Sequence, residues 1–160
     1  MRIVKYVIMF GLLSLLQTTL IPLLSIKDVY PDILLIGVII TGIRFGATPA
    51  IIAGCLVGLV QDAATSQLYG LSSLAKAAAG FAAGYFSREK VKYNLQVTAG
   101  VVLATSLTHS AVYQSIYYFD SGVSFWVIIF RYIIPHVLYT LVAAMIIHIG
   151  WPGGLWGKVS

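Results

Sequence analysis

The side chains that could do chemistry are few. The acids are Asp28, Asp32, Asp62, Glu89 and Asp120, and the histidines are His109, His136 and His148. General acid–base work needs two such groups held close together, and the spacing of these acids offers no such pair. No Gly-x-Ser-x-Gly elbow, His-Glu-x-x-His helix or phosphate loop occurs. His109 and His136, with no carboxylate or thiol near them in the sequence, make a poor metal site. Their ordinary use is hydrogen bonding between helices. A proton relay would need a longer chain of titratable groups. The expectation is therefore no catalytic residue, no metal and no cofactor, hence no enzyme.

Three charged residues fall in or beside apolar runs. On the stretch around 46–62, Gly46, Ala50, Gly54, Gly58 and Asp62 recur every four residues, and Ser72, Lys76, Gly80 and Gly84 do the same further on. Small residues at this spacing form a shallow groove that lets two helix backbones approach closely. With about seven residues between them, the two helices should be antiparallel neighbours. Lys76 could then reach back to Asp62. Such a pair would act as a clip fixing the register of the hairpin, or as a polar anchor in a pocket or subunit interface. A second seam runs through Ser106, His109, Ser110, Tyr113, Gln114 and Tyr117, and faces Arg131, Tyr132, His136, Tyr139 and Thr140. A turn near 121–122 would bring His109 and His136 to one depth and Arg131 opposite Tyr113. These residues should face the interior, a partner or a wet cavity. Arg131 would snorkel or stack on a tyrosine, or grip an anion or a partner's carboxylate.

What must position these groups follows from composition. The chain has 160 residues, 59% of them hydrophobic and only 9% charged, and its mean hydropathy is +0.94. Soluble domains are about 25% charged. A globule this apolar could not cover its own surface in water, so its solvent is lipid. That excludes a soluble enzyme and a disordered chain. The single Cys55 excludes an internal disulfide and reads as a small packing residue. Ten basic residues give a net charge of +5, but they are scattered among apolar runs and form no stripe for nucleic acid.

Uncharged runs at 6–26, 45–61, 93–119 and 132–157 reach or approach the ~20 residues needed to cross a bilayer. Shorter apolar stretches lie at 33–43 and 71–86. The expectation is one all-α membrane domain over 1–160, with six helices near 4–24, 31–45, 49–63, 71–87, 94–118 and 125–149. Pro31 and Pro49 sit at plausible first-turn positions, and Thr48 could cap the third helix. Asp120-Ser121-Gly122 makes a turn. Pro135 should kink the last helix. With the N-terminus inside, Arg2, Lys5, Arg44, Arg88, Lys90, Lys92 and Lys158 are internal and only Lys27 is external. This bias predicts a multi-pass protein with both termini in the cytoplasm. The N-terminal run lacks a small-x-small cleavage site and should stay in the membrane.

The order of motifs resembles a known family. Pro31-Asp32-Ile33-Leu34-Leu35-Ile36 resembles the opening of the second helix in MreD, the bacterial rod shape-determining membrane protein. The block from Gly46 to Asp62, punctuated by Gly54 and Gly58, is similar to that family's third helix. Gly70-Leu71 with Gly80 and Gly84 continues the pattern, and Leu16-Gln17-Thr18-Thr19-Leu20 with Pro22 resembles its first helix. The likeness covers roughly residues 10–90. It implies a fold similar to the substrate-binding S-components of energy-coupling-factor transporters. It also implies a non-enzymatic inner-membrane subunit that binds MreC, a single-span protein. Through MreC it would be tied to MreB, RodA and a penicillin-binding transpeptidase. The matching positions are Pro31, Asp32, Gly54, Gly58, Asp62 and Gly70. A vitamin-binding S-component is the alternative, with His109, His136, Arg131 and the tyrosines around a pocket. Against it, the first span has no alanine, whereas S-components resemble one another in an Ala-x-x-x-Ala face there.

Overall fold

The structure, a computed structural model, describes residues 11–12, 17, 31–65, 68–87 and 94–150. These residues are helical apart from their turns and contain no strand. We number the helices α1 (Ile33–Phe45), α2 (Ala47–Thr65), α3 (Leu71–Tyr85) and α4 (Leu95–Tyr117). The last, α5, runs over Phe125–Gly150. Three of them, α2, α4 and α5, are long and apolar enough to cross a membrane, and α1 is a shorter apolar helix. The chain is a membrane protein of all-α class. Apart from positions 11, 12 and 17, the predicted helix at 4–24 lies outside the described residues, as do Lys27, Asp28, the cationic segment 88–92 and Lys158.

α1 sits at the centre. Its residues from Leu34 to Ile39 are all buried, which is the state of a helix that is apolar on every side. It packs on α2, α3, α4 and α5. The main core joins Leu35, Ile36, Ile39 and Ile43 of α1 to Ala79 and Ala83 of α3, Val101 and Val102 of α4, and Ala144 of α5. The outward faces are also apolar, with Leu56 of α2, Phe81 of α3 and Ile146 of α5 exposed, as lipid requires.

The turn between α1 and α2 is a single residue. Gly46 has φ 86° and ψ −174°, a conformation that glycine alone adopts without strain. Thr48 therefore lies inside α2 and is not its cap. Pro49 does stand in the first turn, where no N–H is needed. At the other end of α1, Pro31 lies one residue before the cap. Asp32 is the cap itself, its Oδ1 accepting the Leu35 N–H at 2.8 Å. The turn after α4 carries Gly122 at φ 67°. Within α5, Ile128–Ile133 form a π-helical turn in which the Ile134 N–H reaches back five residues to the Ile129 carbonyl. Pro135 follows at once. It cannot donate a backbone hydrogen bond, and the widened turn is how the helix accommodates it.

The closest contact in the bundle is between α2 and α3. A Cβ on Gly54 would stand 2.5 Å from the Lys76 carbonyl oxygen, and one on Gly80 would stand 2.5 Å from that of Ala50. On Gly58 it would overlap Ser73, and on Gly84 it would overlap Ala47. The two predicted grooves are thus one antiparallel seam, each filled by the other helix. The close antiparallel approach expected of the two small-residue faces is what the structure shows, and neither face is left as an open groove.

Candidate functional site

α1 is short. Thirteen residues rise about 20 Å, against ~30 Å of hydrocarbon. α2, which leaves the same turn, continues about 9 Å further. The N-terminal end of α1 is therefore recessed within the bundle, and its backbone groups must find partners in protein. They do. The Gln17 amide donates to the Pro31 carbonyl at 3.2 Å and accepts the Ile33 N–H at 3.0 Å. The Asp32 N–H reaches Thr140 Oγ1 of α5 at 3.4 Å.

Around this recess the charged side chains gather. Lys76 of α3 has no exposed surface and donates to Asp32 Oδ2 at 2.5 Å. His109 Nε2 of α4 lies 3.9 Å from the same oxygen. The His136 ring of α5 stacks on His109 with centroids 5.7 Å apart, and its Nδ1 shares a hydrogen bond of 2.9 Å with Ser110 Oγ. Three helices besides α1 thus send polar groups to one carboxylate.

The expected Asp62–Lys76 pair does not form. Asp62 is buried, and its carboxylate accepts the N–H groups of Gly70 at 2.9 Å, Ser72 at 3.1 Å and Ser73 at 3.3 Å. Gly70 is the residue before α3 and has no side chain to cap it. Asp62 supplies that cap from the preceding helix, and its negative charge suits the positive end of α3. It still clips the hairpin, through backbone amides rather than through lysine. The sequence could not separate the two acids by depth. Counted along the helices from Gly46, Asp32 and Asp62 differ by about 3 Å. Direction around α3 decides, and the Lys76 stem climbs toward α1.

The histidines do fall at one depth, as expected. The claim that they lack a carboxylate is corrected by Asp32, which the assembly brings beside them. Of the second seam, Ser106, His109 and Ser110 are buried and Tyr113 is half-buried. Arg131 is exposed and does not face the interior. Its guanidinium lies 6.0 Å from the Tyr132 ring centroid, the stacking role foreseen for it. A ladder of rings leads outward from His109 through Tyr113, at 5.9 Å, to Tyr117, at a further 5.9 Å. It continues through Tyr118 to Tyr132. Beyond the end of α4, burial first and the hydrogen bond with Tyr132 second push the Tyr118 hydroxyl up to about 12, so it stays protonated.

One feature is unbalanced. Among the described residues neither ring nitrogen of His109 has a hydrogen-bond partner, nor does Ser106 Oγ. Buried polar atoms normally have partners, and exceptions concentrate where a site has work to do. Gly54, Gly58, Gly70 and Gly80 serve packing and turns. The sequence signal for the rest was Asp32 itself, an acid at the start of an apolar helix, which needs a buried partner. No protein-family model, no curated protein and no solved structure matches the chain.

Proposed function

We propose that this chain is a non-enzymatic scaffold of the bacterial cell-elongation machinery, of the MreD type. It would cross the inner membrane several times with both termini in the cytoplasm and hold the transmembrane helix of an MreC-type partner. The observation that carries this reading is the use made of the residues behind the resemblance. Asp32 caps α1, Gly54 and Gly58 admit α3, and Asp62 and Gly70 form the turn into α3. All of them build one close-packed three-helix unit, as caps and packing positions. Stiffness is what a scaffold needs if it is to hold another helix in one orientation. Since the α2–α3 seam is filled, the partner would pack on an outward face, such as that of α2 around Leu56 or that of α5 around Ile146.

The second reading, a vitamin-binding S-component, draws on His109, whose ring nitrogens make no hydrogen bond among the described residues and would suit a polar ligand. Purification in mild detergent followed by mass spectrometry separates the two. The scaffold reading expects a single-span protein to be retained. A stoichiometric vitamin without such a partner would overturn it.

A further inference from the structure

Asp32, His109 and His136 lie on α1, α4 and α5, yet one ligand atom from each falls within 4.8 Å of the others. Two imidazoles, donors of borderline softness, with one harder carboxylate make a set suited to zinc and its first-row neighbours. A tetrahedral ion with ligands about 2.1 Å away holds them about 3.4 Å apart, so closure needs movement of little more than about 1 Å. His109 supplies an independent sign. It is only 5% exposed, and neither nitrogen makes a hydrogen bond among the described residues. Ser110 already holds the His136 ring through Nδ1, the kind of outer contact that fixes a ligand's orientation.

Lys76 stands in the way, and that makes the site distinctive. Its ammonium neutralises Asp32 and fills the place beside Oδ2. We infer that Asp32, His109 and His136 form a binding site for a divalent transition metal, zinc by chemistry, and that Lys76 is the resident cation which the metal displaces. The ion forms bonds to the Asp32 carboxylate and to two neutral imidazoles. The Lys76 hydrogen bond to Asp32 breaks, and the ammonium swings away from Oδ2. The lysine stem is flexible enough to withdraw without moving α3.

The test uses the full chain in detergent, stripped with chelator and titrated with cobalt(II) and with zinc. Cobalt in a tetrahedral site gives visible absorption, and elemental analysis counts the zinc. We expect one ion per chain. His109→Ala and His136→Ala should each weaken binding by at least about tenfold. Lys76→Met should bind more tightly than the parent. His109→Gln and His136→Gln, which keep volume and polarity, serve if either alanine variant does not elute as a single species. Failure of both the parent and Lys76→Met to bind would overturn the site. So would binding that survives loss of both histidines. Equal affinity with and without Lys76 would overturn the displacement. The outcome is independent of whether a single-span partner co-purifies.

Discussion

The α2–α3 seam and the recess around Asp32 hold the same bundle together by opposite means. The seam uses absence: four glycines let backbone meet backbone, and van der Waals contact with one hydrogen bond, from Ser73 Oγ to the Cys55 carbonyl, does the rest. The recess uses charge, placing a fully buried lysine against a buried carboxylate with two histidines beside them. The seam tolerates no added atom. The recess tolerates no unpaired charge. A membrane interior permits both, because close packing and internally satisfied polar groups are each stable where water is absent.

That contrast can be broken at either side. The largest effect should come from Asp32→Asn, which leaves the Lys76 ammonium buried without its counter-charge. We expect a loss of about 3–5 kcal/mol, read as a large drop in melting temperature in detergent. Gly58→Ala puts a methyl where Ser73 already stands. It should cost about 3 kcal/mol and loosen the hairpin, detectable as cysteine cross-linking lost between α2 and α3. A neutral Gly58→Ala would show that the seam is slack. Asp62→Ala removes the acceptor for three amides at the start of α3. About 1–2 kcal/mol should go, with faster amide exchange confined to residues 70–73. The smallest change belongs to Ser110→Ala, which deletes one interhelical hydrogen bond to His136. We expect about 0.6 kcal/mol, measurable only in a paired comparison of melting curves.

The two regions also differ in how far the sequence revealed them. The seam was readable because its signal is local: a four-residue spacing on each of two helices joined by a short turn. The helix ends followed for the same reason, with α1 to α5 falling within a few residues of the expected ranges. The recess was only half readable. His109 and His136 could be placed at one depth from the turn at 121–122. The partner of Lys76 could not be chosen, since Asp32 and Asp62 are nearly level along the helix axis and only the rotation of α3 distinguishes them. That rotation is set by four helices packing at once, which no spacing in one strip of chain records. The π-helical turn before Pro135 was foreseen only as a kink, because proline announces a missing hydrogen bond and not how the helix makes room for it.

Lys76 belongs to Asp32 and not to Asp62. A double-mutant cycle tests it directly, with melting temperatures measured for Asp32→Asn, Lys76→Met and the two combined, and likewise for Asp62→Asn with Lys76→Met. The account predicts that the Asp32 double variant is more stable than either of its single parents, because removing both charges removes the burial penalty. It predicts plain additivity for Asp62. Additivity at Asp32 together with recovery at Asp62 would contradict it.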